Sequence, residues 1–399
     1  MADSVTERPF DNFRTAITDP DHFFGRSEFI SRIRKLPFEV RILLGGRRLG
    51  KTSTLRAVEW SLLDNSSGLP CRAFPVFLSL QVEQPKGLDN FRYVLIARLR
   101  EAMDRWQKSA GAALREKYRQ FLRQIASAEA TLGFVKLKVT NPDYDRQLIH
   151  EDFRSALLGA IKELQGWVEQ SFEGVCFILD EADFIARQNW ADDAWSYLRG
   201  LKDTDTAIKP YLGILLSGYR DLREYQQQVG SPLFNIAKVE WLAALALAEM
   251  NQLVECRCRD EQVSLNDDEV IAIVEWAGAH PYLTHQLLNA LFDNQQQQKP
   301  RRINNLLSEL IQQRDHDFSR WWNASQTTDG FSQDAQLVYR ELILQRLGTA
   351  DSIASSANLP LGKVEDALNL LAGAGVIKPL DDERHEIGAR LFEEWVLRQ

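Results

Sequence analysis

The sequence predicts a doubly wound parallel α/β core, followed by an all-helical lid region and a compact C-terminal winged helix. Three observations carry this. Short, continuously apolar runs alternate with helix-permissive segments through residues 40–241, the mark of a parallel sheet buried on both faces. From about residue 242 the pattern turns all helical. The closing stretch reads three helices, a hairpin and a helix, an order that suits a winged helix-turn-helix.

The first strand is Val40–Leu44, which runs into a glycine-rich turn and a helix over Lys51–Leu63. Further strands are predicted at Phe74–Leu80, Val175–Leu179, Tyr211–Leu216 and Ala237–Trp241. In such a sheet the ligand sits at the C-terminal strand ends. An insertion of about residues 89–150 separates the second and third strands, largely helical, with a strand at Gly133–Thr140. Beyond the core, helices are predicted at Leu245–Cys258, Asp267–Trp276 and His285–Phe292. A polar loop, Asp293–Pro300, a further helix and a soft segment at Asn323–Gly330 follow. The final unit has helices at Ser332–Leu347, Ala350–Ala357 and Leu361–Ala372. Hairpin strands at Val376–Pro379 and His385–Ile387 flank the turn Asp381-Asp382-Glu383, and a helix over Ala389–Leu397 closes the unit. The boundaries that follow are 1–241 for the core, 242–325 for the lid and 326–399 for the winged helix.

With 399 residues, 44% of them hydrophobic and 26% charged, the chain has ordinary globular composition and room for two or three domains. The net charge of −8 argues against a protein that coats nucleic acid by charge alone. Cys71, Cys176, Cys256 and Cys258 have no zinc spacing and read as free thiols. The six histidines form no close metal-ligand spacing. The beginning of the chain lacks the basic and apolar blocks of a signal peptide, and no apolar stretch has membrane-spanning length. The expectation is a cytoplasmic protein that does not enter a membrane.

The chemistry concentrates in Gly45-Gly46-Arg47-Arg48-Leu49-Gly50-Lys51-Thr52, which matches the P-loop template at every fixed position. Glycines let successive backbone N–H groups curl inward at phosphates, and the following helix aims its positive end at the same anion. Lys51 would reach the β- and γ-phosphates, and the Thr52 hydroxyl would meet magnesium. The third strand ends in Asp180-Glu181. Asp180 is placed to hold magnesium through water, and Glu181 to polarise an attacking water. Together these segments predict ATP binding on Mg2+ and its hydrolysis. Asp180-Glu181-Ala182-Asp183 also spells the DEAD-box helicase signature, but the all-helical remainder has no room for a second parallel-sheet lobe. Asp183 is then an exposed or structural residue. At the end of the fourth strand, Ser217 and Arg220 are candidates to sense the γ-phosphate or the water, with turn residues as the plainer alternative.

These landmarks resemble the STAND ATPases, signal-transduction ATPases with numerous domains, and especially AAA-like bacterial and archaeal members related to Orc/Cdc6 proteins. Phe23-Phe24-Gly25-Arg26-Ser27-Glu28 looks like the family's entry motif beside the adenine. Gly45 to Ser53 looks like its P-loop, paired arginines included. Ser231-Pro232-Leu233-Phe234 is similar to the segment before its fifth strand. Gly278-Ala279-His280-Pro281 resembles the Gly-x-Pro module that closes over base and sugar, with Ala279 where the family has glycine. The resemblance covers roughly residues 20–399. It implies that Phe24, Gly25, Arg26, Ser53 and Pro281 join the P-loop around ATP or ADP. It further implies a nucleotide-dependent switch that acts on a protein partner or effector and assembles with nucleotide. Stress response and antiviral defence are settings such a switch would serve.

A winged helix also raises a DNA-binding ATPase, of the Orc-like or transposition type, as the alternative. The candidate recognition helix begins Leu361-Gly-Lys363-Val-Glu365-Asp366, more acidic than basic, and the wing turn is acidic. That is poor chemistry for a phosphate backbone. The basic exception is the insertion, where Arg115, Arg119 and Arg123 share a helical face and Arg98, Arg100, Arg105 and Lys108 lie upstream. A solvated helix face is the plainer reading. Trp321-Trp322 reads as core or interface.

Overall fold

The computed structural model describes residues 16–17, 20–63, 72–109, 148–167, 172–229, 233–296, 303–323 and 330–399. Five strands form one all-parallel sheet: β1 (Val40–Leu44), β2 (Ala73–Ser79), β3 (Gly174–Asp180), β4 (Leu212–Gly218) and β5 (Lys238–Trp241). Their spatial order is β2-β3-β4-β1-β5. β4 therefore lies between β1, which feeds the glycine-rich turn, and β3, which ends in Asp180. All five sequence-predicted strands are present within two residues of their expected ends.

The sheet is apolar on both faces for a geometric reason. Successive strand residues point to opposite sides, and helices cover both. Leu43, Cys176, Ile178 and Leu215 face the helices Ser27–Lys35 and Lys51–Leu63. Ile42, Leu44, Phe177, Leu179, Ile214 and Leu216 face the opposite layer, which contains the helices Leu88–Ser109, His150–Gln165 and Ala191–Asp203. Each such side chain contributes about 1.5–3 kcal/mol of burial. Cys176 is a free thiol in this core, with burial pushing its pKa up to about 12.

The region after β5 is helical, as expected: Leu247–Asp260, Asp267–Ala277, Pro281–Gln296, Ile303–Gln313 and Asp315–Trp322. Two expectations change here. The third of these helices starts at Pro281 rather than His285 and continues through Asp293–Gln296, so the polar run is not a loop throughout. Buried Leu287, Leu288, Leu291 and Phe292 hold that helix against its neighbours. The single helix expected next is two.

The last unit contains the helices Gln333–Gln345, Ala350–Ala357 and Leu361–Ala372, the strands β6 (Leu347–Thr349), β7 (Ile377–Pro379) and β8 (Arg384–Ile387), and the helix Arg390–Leu397. Its antiparallel sheet has the order β6-β8-β7. β6 was not predicted. Three residues carry no periodicity, and the strand exists through its pairing with β8. Trp321 and Trp322 are buried among Phe318, Phe331 and Phe392, so they join the helices after β5 to this unit. Among the described residues, no helix is long and apolar enough to cross a membrane. The strand expected at Gly133–Thr140, the Arg115/119/123 face, Cys71 and the Ser231-Pro232 pair lie outside the described residues.

Candidate functional site

A cavity of about 670 Å3 opens where the P-loop turn, the end of β3 and the helices after β5 meet. One end is polar, with Arg47, Lys51, Thr52, Asp180 and Glu181 in its wall. The other is largely apolar, formed by Ile17, Phe24, Leu245, Leu253 and Pro281. The parallel sheet produces this layout, because parallel neighbours bring their C-terminal ends to one edge.

At the polar end, the Thr52 hydroxyl donates to Asp180 Oδ2 at 2.6 Å. Two hard oxygens from the helix start and from β3 thus stand side by side. Asp180 is 2% exposed and also accepts from the Ser217 hydroxyl. The backbone N–H of Glu181 reaches Asp180 Oδ1 at 3.0 Å and Ser217 Oγ at 3.3 Å. Glu181 has a φ of 59°, left-handed for a residue with a side chain. Such strain costs of order 1–3 kcal/mol and gathers at functional sites. Its carboxylate accepts from the Ser79 hydroxyl, at the end of β2, at 2.5 Å. Lys51 Nζ donates to the carbonyls of Gly45 (2.6 Å) and Gly46 (3.0 Å).

These donors fit a magnesium nucleotide. Mg2+ takes one or two carboxylate or hydroxyl oxygens and completes its octahedron with water and phosphate. Thr52 and Asp180 supply that set. Among the described residues no group of three or more His, Cys, Asp or Glu is arranged to hold a metal, so an all-protein cage is not formed there.

The remaining candidates divide. Phe24, Arg26, Arg47, Arg48, Leu49, Gly50, Ser53 and Pro281 line the cavity. Arg26 is an anchor rather than a free charge. Its guanidinium donates to the carbonyls of Ala243 (2.6 Å) and Ala244 (3.3 Å), its N–H reaches Glu249 at 2.8 Å, and burial lowers its pKa to about 10. Gly25 packs beside Leu245 and Glu249 without lining the cavity. Ser53 accepts the N–H of Ile17 at 3.0 Å and ties the preceding segment to the P-loop helix. Gly45 bonds β4 through Gly218 O at 3.1 Å. Gly46 is turned to the C-terminal unit, where its N–H donates to Gly373 O at 2.5 Å. Arg48 leads to the helices after β5, pairing with Asp317 at 3.0 Å and lying 4.3 Å from the Tyr282 ring centre.

Two candidates at the end of β4 lie off the cavity wall. Ser217 is fully buried and does not line the cavity; its hydroxyl donates to Asp180. Arg220 leaves the cavity altogether. It pairs with Glu224 one helical turn on, at 2.5 Å, and donates to Gly330 O at 2.9 Å. The i,i+4 partner captures it.

Asp183 takes the structural option. It accepts the N–H groups of Tyr219 (2.9 Å) and Leu222 (2.8 Å), capping the helix after β4, and burial raises its pKa. Three of the four upstream basic residues are tied as well. Arg98 pairs with Glu83 and Glu101, Arg100 with Glu163, and Arg105 with Glu101. Sequence reasoning missed Ser79, Asp183 as a cap, and His285, which lines the apolar end. A hydroxyl at the tip of the strand beside β3 was the available signal for Ser79.

No protein-family model matches the chain, and no curated protein matches it in sequence. Solved structures do. A Walker-type ATPase of Pyrococcus abyssi aligns over 98% of this chain and 99% of its own, with a TM-score of 0.57 and 15% identity. The fold is that of a P-loop ATPase. The Aeropyrum pernix Orc1 protein, solved in complex with DNA, aligns over 95% of both chains at a TM-score of 0.43 and 14% identity. Cdc6 of Pyrobaculum aerophilum covers 97% of this chain and 98% of its own at 0.42 and 12%.

Proposed function

We propose that this chain is a magnesium-dependent ATPase of STAND type that works as a slow switch on a protein partner. In this reading residues 1–241 are the ATPase core, 242–325 the lid and 326–399 a winged helix. Bound magnesium would supply the positive charge that stabilises charge developing on the phosphoryl group. Thr52 and Asp180 would hold it. Lys51 would leave the Gly45 and Gly46 carbonyls for the phosphates, and Glu181 would orient and polarise the attacking water.

The observation that carries the switch is the Gly46 residue. Its carbonyl is held by Lys51 and its N–H by Gly373 of the C-terminal unit. A phosphate that recruits Lys51 therefore changes the residue on which that unit rests. Occupancy of the site is coupled to the contact through one residue, as a two-state element requires. The nucleic-acid alternative has less support. Lys363, the basic residue opening the candidate recognition helix, pairs with Asp334 at 3.0 Å, and neighbouring Asp366 lies 3.5 Å from Arg223.

The test uses the full chain with ATP, ADP and magnesium. Lys51→Ala should lose nucleotide affinity by at least tenfold, and Glu181→Gln should bind ATP while phosphate release stops. Limited proteolysis should then cut the Glu181→Gln protein differently with ATP and with ADP. Unchanged ATPase rates in both variants defeat the site assignment. Identical proteolysis in the two nucleotides defeats the switch.

A further inference from the structure

The apolar end of the cavity is lined in part by a histidine that the phosphate site leaves unused. His285 stands one turn into the helix Pro281–Gln296, is 4% exposed, and contributes to the cavity wall. Its Nδ1 is buried and has no hydrogen-bond partner among the described residues. A buried polar atom without a partner costs roughly 1–3 kcal/mol, so such an atom on a residue of the cavity wall calls for explanation.

The other polar groups at this end are committed. Arg26 is spent on the Ala243 and Ala244 carbonyls. The Tyr282 hydroxyl donates to Asp317 at 2.6 Å. Phe24, Leu245 and Leu253 offer only apolar surface. A flat group with polar atoms on its rim suits such a slot: apolar walls take the faces, and one hydrogen bond fixes the edge. Burial, with the Arg257 guanidinium nearby, drops the imidazole to about pKa 3. The ring is therefore neutral at physiological pH, with one nitrogen donating and the other accepting. It can meet a heterocycle edge without burying a charge.

We propose that His285 hydrogen-bonds the edge of the nucleotide base and so distinguishes a nucleotide from a bare polyphosphate. The inference rests on the nucleotide-binding reading above and deepens it. His285 is a base-contacting residue in this account and takes no part in phosphate chemistry.

Titration calorimetry with ATP and with tripolyphosphate, each with magnesium, tests it on wild type and on His285→Phe, which keeps the ring and removes its polar atoms. ATP should bind the variant about tenfold more weakly, the value of one buried hydrogen bond, while tripolyphosphate affinity stays within twofold. Equal ATP affinity in the two proteins overturns the proposal, as does a parallel loss for both ligands. Failure of wild type to bind ATP at all would instead sink the nucleotide reading. Should His285→Phe not fold, 15N-histidine spectra of wild type give the same answer. ATP should move a buried neutral imidazole resonance that tripolyphosphate leaves in place, and no such movement overturns the proposal.

Discussion

The backbone N–H of Gly46, in the P-loop, donates to the carbonyl of Gly373, beyond the last long helix of the C-terminal unit, at 2.5 Å. The approach is that close because neither residue has a side chain. A Cβ on Gly46 would lie 2.8 Å from Ala374 Cα, and one on Gly373 would lie 2.3 Å from Cε3 of Trp241. Around this point the Tyr219 hydroxyl donates to Leu370 O at 3.1 Å, and Leu49, 1% exposed, lies under Gly375. The sheet domain and the C-terminal unit meet at the phosphate turn.

Gly373→Ala should therefore push the C-terminal unit away from β5. Overpacking of this kind costs about 1–3 kcal/mol. The urea midpoint should fall accordingly, and Trp241 emission should shift as its ring is displaced. ADP release should quicken in the same variant if the contact restrains the site. A midpoint equal to wild type would mean that the two units separate freely in solution.

Ser79→Ala removes the hydroxyl that holds Glu181 Oε2. The carboxylate then loses a neutral partner and keeps its strained backbone, with φ at 59°. Phosphate release should rise by roughly two- to fivefold, about the effect of one ordinary hydrogen bond, with nucleotide affinity unchanged. Ser79→Thr, which retains the hydroxyl, should stay near wild type. A fall in rate with Ser79→Ala would show that the hydroxyl positions Glu181 for reaction instead of restraining it.

The phosphate turn and the acidic pair were legible in the sequence because their chemistry is local. A glycine-rich turn between an apolar run and a helix leaves little choice of geometry, and Asp180-Glu181 falls where a buried strand must surface. Contacts set by tertiary approach were not legible. Nothing local marks Gly373 as a partner of Gly46, or Ser79 as a partner of Glu181. Arg220 shows the converse, since the glutamate one turn ahead, Glu224, was visible and outweighed the position at a strand end. The Ala279 departure from glycine was visible too, but its backbone conformation was not.

That conformation makes Ala279 a stability lever. Gly278 and Ala279 both have left-handed φ values, 59° and 57°. Gly278 cannot change, because a Cβ there would meet Gly388 O at 1.7 Å. Ala279 carries a side chain where glycine has no penalty, a strain of about 1–2 kcal/mol. Ala279→Gly returns this but adds about 0.5–1 kcal/mol of unfolded-state entropy. The net expectation is a gain of up to about 1.5 kcal/mol, read as a higher denaturant midpoint at unchanged slope. A lower midpoint would mean that the methyl group's packing outweighs the strain.

Two buried histidines give the fold an acid limit. His280 is fully buried and stacks on Trp321 with ring centres 5.2 Å apart, and burial drops its pKa to about 3. His285 is held equally low by burial. Unfolded, each would titrate near 6.5, so between about pH 6.5 and 3 the unfolded chain binds protons that the folded chain refuses. Their contribution is thus complete above pH 6.5 and is lost as the pH falls through that window. At pH 5 the loss is about 2 kcal/mol for each histidine, from the proton-linkage relation. Replacing His280 with phenylalanine keeps an aromatic ring against Trp321 and removes one of the two protons. The variant's stability should fall less steeply from pH 7 to pH 5 than that of wild type, by about 2 kcal/mol over the interval. Parallel curves for the two proteins would mean that His280 is protonated in the folded state, with a partner for its charge.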